Sequence, residues 1–184
     1  MKNRQKIIQE LREIIEKSKN VLISGEVGVG KITNTLEALR DRDNVYYIGN
    51  PVDYVGKPRP KGYNKYISHI VSLKKDMQIM TNEKEILSFD FSALSAKGGI
   101  LLIDEIYGRS IEQYQKILSL FGRENLKIIL IAGCLKNVGR MIRKFDMILM
   151  IIHDGVLILD NEFVMKICNL LGSDPLAGQA GLFG

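Results

Sequence analysis

Asn20-Val-Leu-Ile-Ser24 runs directly into Gly25-Glu-Val-Gly-Val-Gly-Lys31, and the reading of this stretch decides the fold. The first five residues make a short apolar run of the kind a strand buried on both faces needs. Residues 31–40 then take up helical spacing. Between strand and helix, Gly25, Gly28 and Gly30 give the spacing G-x-x-x-x-G-K. Glycine reaches positive φ with no Cβ in the way, so successive main-chain N–H groups can turn inward around one point. The amino end of the following helix adds its positive dipole there, and Lys31 can reach phosphate oxygens. Residues Gly25, Glu26, Val27, Gly28, Val29, Gly30, Lys31, Ile32 and Thr33 are therefore predicted to cradle a phosphate chain.

The same alternation of apolar runs and helical stretches continues outward. Residues 3–17 have Ile7, Ile8, Leu11, Ile14 and Ile15 on one helical face. Val45 to Ile48, Ile100 to Ile103, Ile128 to Ala132 and Met147 to Ile152 read as four more strands. A helix is predicted near 110–121 and a short one near 136–144. His153-Asp154-Gly155 reads as a turn into a last strand at 156–160, and Asn161 as the cap of a closing helix to about Leu171. Apolar strands separated by helices predict an α/β fold, a mostly parallel sheet covered by helices on both faces. With 184 residues and no internal repeat, one domain over 1–171 is expected, followed by a loose Gly-rich tail at 172–184.

Gly99-Ile-Leu-Leu-Ile-Asp104-Glu105 supplies the second chemical signal. An apolar strand ending in two acids puts Asp104 at the carboxyl edge of the sheet, where open α/β folds bind ligands. With both motifs in hand, the chain resembles the P-loop NTPases, with a Walker A loop at 25–33 and a Walker B strand at 100–105. The acid following the Walker B aspartate is similar to the branch with an additional strand and a catalytic glutamate, which includes AAA+, RecA-like and FtsK/HerA-type motors. The resemblance covers about residues 20–152 and implies a RecA-like sheet with strand order 5-1-4-3-2. It implies ATP and Mg²⁺ as cofactors. Asp104 would hold the metal, mostly through water, and Glu105 would orient or deprotonate the water attacking the γ-phosphate.

One position departs from the family pattern. Where Ser or Thr is expected after Gly30-Lys31, this chain has Ile32, which offers no oxygen to a metal. Thr33 resembles the residue that touches the α-phosphate in the family, and it lies about 100° further round the helix. Loss of that metal ligand is expected to weaken hydrolysis more than nucleotide binding. After the strand 128–132, Cys134 and Asn137 stand where the family keeps a polar sensor, and both match weakly. Arg140 and Arg143, three apart on one helix face, are candidates for an arginine finger reaching a neighbouring copy, with a solvated face or a DNA-phosphate contact as alternatives.

Charge is unevenly placed. The formal net charge is +5, and residues 51–75 alone hold six cations against the single acid Asp53. Tyr54, Tyr63 and Tyr66 interleave with Lys57, Arg59, Lys61 and Lys65 in a Pro-rich loop at 50–66, a pattern suited to stacking on bases while lysines follow a nucleic-acid backbone. A lid over a small substrate or a subunit contact fits the same loop. His69 and His153 have no partners at metal spacing, so structural roles are expected for them. The longest apolar runs fall far short of the ~18 residues of a membrane span. With two cysteines and no secretory segment, a cytoplasmic setting is the expectation.

The functional expectation is an ATP-binding protein, a Mg²⁺-dependent ATPase impaired at Ile32, acting as a nucleic-acid-associated motor or switch in a ring-forming homo-oligomer. Two alternatives stand beside it: a small-substrate nucleoside triphosphatase or nucleotide kinase, and a non-catalytic nucleotide-dependent switch.

Overall fold

The computed structural model describes residues 2–49, 62–106, 109–135 and 138–170. In chain order the elements are α1 (Lys2–Lys17), β1 (Asn20–Gly25), α2 (Lys31–Ala38), β2 (Val45–Ile48), α3 (Tyr63–Leu73), β3 (Gln78–Met80), α4 (Glu83–Ser88), α5 (Phe91–Ala96), β4 (Ile100–Asp104), α6 (Ile111–Leu118), β5 (Lys127–Ile131), a 3₁₀ helix (Gly139–Lys144), β6 (Met147–Ile152), β7 (Gly155–Leu159) and α7 (Asn161–Leu170). The strands form one sheet in the order β3-β2-β4-β5-β1-β6-β7. All pairings are parallel except β6 with β7, a hairpin that closes at Ile152 and Gly155.

This order differs from the five-strand order expected from the resemblance, because the sheet has seven members. Beyond β2 lies β3, three residues long and too short to show a period. Beyond β6 lies β7, which returns antiparallel. Between β2 and β4 the sequence reading places no element, whereas α3, β3, α4 and α5 fill that stretch. The helices α4 and α5 have six residues each, under two turns, so helical spacing cannot announce them. Their caps do. Asn82 accepts from the Glu85 N–H and Glu85 reaches back in a capping box, and Asp90 accepts from the Ser92 N–H. The predicted helix at 136–144 is instead a 3₁₀ helix starting at Gly139. The tail 172–184 lies outside the described residues.

Alternation along each strand divides the core between the two sheet faces. Val21, Ile23, Ile100, Leu102, Ile129 and Ile131 pack with Ile7, Leu11 and Ile15 of α1, Leu36 of α2 and Ile70 of α3. Leu22, Leu101, Ile103, Ile128 and Leu130 pack with Phe91 of α5, Ile117 of α6, Ile142 of the 3₁₀ helix and Val164 of α7. Among the described residues no helix is long and apolar enough to cross a membrane.

Candidate functional site

From β1 the chain crosses into α2 on one face, while from the adjacent β5 it crosses into the 3₁₀ helix on the other. Neighbouring strands whose connections part to opposite faces leave a crevice at their carboxyl ends. The loop 25–30 sits at this crevice. Gly25 is itself the last residue of β1, at φ 142°, and a Cβ there would stand 2.4 Å from the Ile151 carbonyl oxygen of β6. Only glycine fits between the strands. Gly30 caps α2 at φ 79°, with no side chain closing the helix's first N–H groups. Lys31 folds back over the loop, its Nζ donating to the carbonyls of Gly25 at 2.7 Å and Glu26 at 2.8 Å. Burial pushes this ammonium below the usual lysine range, opposed first by the field of Asp104 and then by that of Glu105. The structure thus brings Lys31, Asp104 and Glu105 to one place. Glu26, Val27 and Gly28 are exposed on the loop, and Val29, Ile32 and Thr33 are half-buried behind it.

Asp104 follows Ile100 and Leu102 at intervals of two, so it faces the side of the sheet that carries α1, α2 and α3. It is 8% exposed. Its Oδ2 accepts from two phenols, Tyr47 of β2 at 2.8 Å and Tyr66 of α3 at 2.6 Å, whose oxygens lie 3.2 Å apart. Burial holds the Asp104 carboxyl above the usual carboxylate range, against the pull of the Tyr66 and Tyr47 hydroxyls and of the Arg109 charge. The Tyr47 hydroxyl is pushed far above the ordinary phenol value by burial and by Asp104.

Glu105 occupies the left-handed region at φ 64°, a conformation that costs a non-glycine residue about 1–3 kcal/mol unless its surroundings impose it. Here they do. Its N–H donates to Ile131 of β5 at 2.8 Å, and its carbonyl accepts from Arg109 Nε at 2.8 Å. Its carboxylate accepts from the N–H of Gly133 at 2.8 Å and of Ile106 at 3.0 Å. Arg109, 3% exposed, also donates from one guanidinium nitrogen to the carbonyls of Gly49 and Asp104. It ties the end of β2 to the acid pair.

Three residues of this constellation escape the sequence reading: Tyr47, Arg109 and, in this role, Tyr66. Tyr47 was findable, because period-two counting from Val45 and from Ile100 places Tyr47 and Asp104 on one face. Arg109 carried no such signal. Tyr66, one of the aromatics whose pattern suits stacking on bases, turns its hydroxyl in to Asp104. Of the cationic loop, Lys65 is exposed on α3, the side chain of Tyr63 is not described, and Tyr54, Lys57, Arg59 and Lys61 lie outside the described residues. Lys74, counted in the same cluster, is buried against Asp76 and the Arg40 carbonyl. At the sensor position the group meeting Glu105 is the Gly133 N–H, while Cys134 is exposed and Asn137 lies outside the described residues. Arg143 is exposed beside a shallow groove of about 430 Å³ that it shares with Asn161, Glu162 and Met165. It makes no hydrogen bond or ion pair with described residues of the loop or acid pair. Arg140 falls in the same 3₁₀ helix, and its side chain is not described.

A cavity of about 670 Å³ opens at the opposite, amino-terminal edge of the sheet, lined by Ile15, Lys19, Arg42, Gly99 and Lys127. Two of its cations are already satisfied: Arg42 pairs with Glu16, and Lys127 donates to the Ile15 and Glu16 carbonyls that end α1.

The residues at the loop do not fit a directly held Mg²⁺. That ion asks for oxygens in near-octahedral array. Ile32 brings none, and its side chain packs into the apolar cluster under α2. Asp104 Oδ2 is already taken by two phenols. Among the described residues no three acidic, histidine or cysteine side chains gather. Compared with known proteins, the chain matches no family model and no curated protein.

Proposed function

We propose that this chain is a nucleotide-binding domain of the P-loop NTPase type, RecA-like in its central strands, that binds ATP and hydrolyses it slowly. One observation carries the reading: a glycine loop ending in Lys31 leaves β1 at the carboxyl edge of a parallel sheet, the same edge at which β4, one strand away across β5, ends in Asp104 and Glu105. The main-chain amides of the loop and of the first turn of α2 would grip the polyphosphate, and Lys31 would leave its two carbonyls for phosphate oxygens. Glu105, aimed by its imposed backbone, would orient the attacking water once its carboxylate leaves the Gly133 N–H. The family's metal-assisted charge neutralisation is poorly provided for by these residues, so slow turnover is the corollary.

The test is thermal unfolding of the full chain with and without ATP. A ligand that binds only the native state at a hundred times its Kd adds about 2.7 kcal/mol of stability. Lys31→Ala should abolish that gain while leaving the unliganded fold in place. Glu105→Gln should keep the gain and remove whatever turnover the parent shows. Absence of any nucleotide-dependent stabilisation would refute the reading.

A further inference from the structure

In a metal-dependent nucleotide site the cation stands between the phosphates and the acid at the end of the adjacent strand, held from the loop side by a hydroxyl. Both anchorages are altered in this chain. On the loop side, the position after Lys31 carries a branched hydrocarbon: Ile32 is half-buried and packs against the apolar cluster on the α1–α2–α3 face of the sheet. On the acid side, Tyr47 and Tyr66 donate into the same oxygen of Asp104 from two different elements, β2 and α3. Tyr47 is fully buried and the aspartate is 8% exposed, so the Tyr47 bond is part of the packed core, with the half-buried Tyr66 bond beside it. Two phenolic protons thus do at one oxygen of Asp104 what a cation does elsewhere: they satisfy and screen it.

We infer that the loop takes its nucleotide polyphosphate with no need of a divalent cation, with Tyr47 and Tyr66 standing in for that cation at Asp104. The inference rests on the nucleotide-binding reading above. It assigns the grip to main-chain amides and Lys31 alone, and it makes Tyr47 and Tyr66 positioning residues that neutralise the wall facing the phosphates.

Calorimetric titration of the full chain with ATP, once in excess Mg²⁺ and once in EDTA, decides the matter. The expected dissociation constants agree within about fivefold, roughly 1 kcal/mol. A constant more than fivefold tighter in Mg²⁺ overturns the inference and leaves nucleotide binding intact. No binding under either condition overturns the nucleotide reading itself, and this inference with it. Ile32→Thr restores one oxygen and should create a preference for Mg²⁺ of about tenfold or more. If that variant binds ATP and stays as indifferent to Mg²⁺ as its parent, the role given to Ile32 is refuted.

Discussion

Asp104 is the residue on which most of the local physics converges. Buried beside a guanidinium and between two phenols, its carboxyl is harder to ionise than in the unfolded chain. The sign of the resulting pH effect follows from linkage. A group whose native pKa is raised contributes stability that is complete below the unfolded value, near 3.9 for aspartate, and that is lost as pH rises through the native value. At neutral pH the wild-type carries this cost. Asp104→Asn keeps an oxygen to accept from Tyr47 and Tyr66 and has no charge to bury. In urea melts it should therefore be more stable than wild-type at pH 7, with the advantage shrinking toward zero as pH falls to about 4. An advantage that grew on acidification would contradict the assigned direction. Arg109 tempers the same cost through its positive charge, and its guanidinium nitrogens serve the carbonyls of Gly49, Asp104 and Glu105. A buried cation lives there because backbone oxygens supply what water would.

Among elements, α1 shows how far a period reaches. Its apolar residues recur at helical intervals, and the structure buries Ile7, Leu11 and Ile15 against the sheet. Leu11 is wholly buried, so Leu11→Ala should destabilise the chain by about 2–5 kcal/mol in denaturant unfolding. A loss under 1 kcal/mol would show that the helix can leave the sheet at little cost. The same periodic logic made β1, β2, β4, β5 and β6 legible, because each is apolar on both faces. It failed where elements are short: β3 is held by its register with Tyr46, Tyr47 and Ile48, a tertiary fact with no local signature. At the site, the loop and the acid pair were legible because spacing alone defines them. The phenols were not, since nothing adjacent in sequence tells that Tyr66, nineteen residues beyond Tyr47, returns to the same carboxylate. Nor could composition foretell that Glu105 would adopt a left-handed backbone, which follows from Ile131, Gly133 and Arg109 acting together.

At the scale of the whole molecule, the sheet separates two packed faces, and the loop 25–30 lies where their connections diverge. The Tyr66–Asp104 bond runs from the sheet's carboxyl edge to the first turn of α3, so the acid and that helix cannot shift independently. The protein carries two histidines in all, and they sit at instructive places. His69 is exposed on α3 one turn beyond Tyr66, while His153 is exposed in the hairpin turn between β6 and β7. Their imidazole proton resonances form a matched pair of magnetic reporters, one wired to the carboxylate and one remote from it. Tyr66→Phe, which cuts the wire without adding bulk, should move the His69 signal and leave that of His153 in place. Equal displacement of both, or of neither, would mean that α3 rides free of the acid it touches.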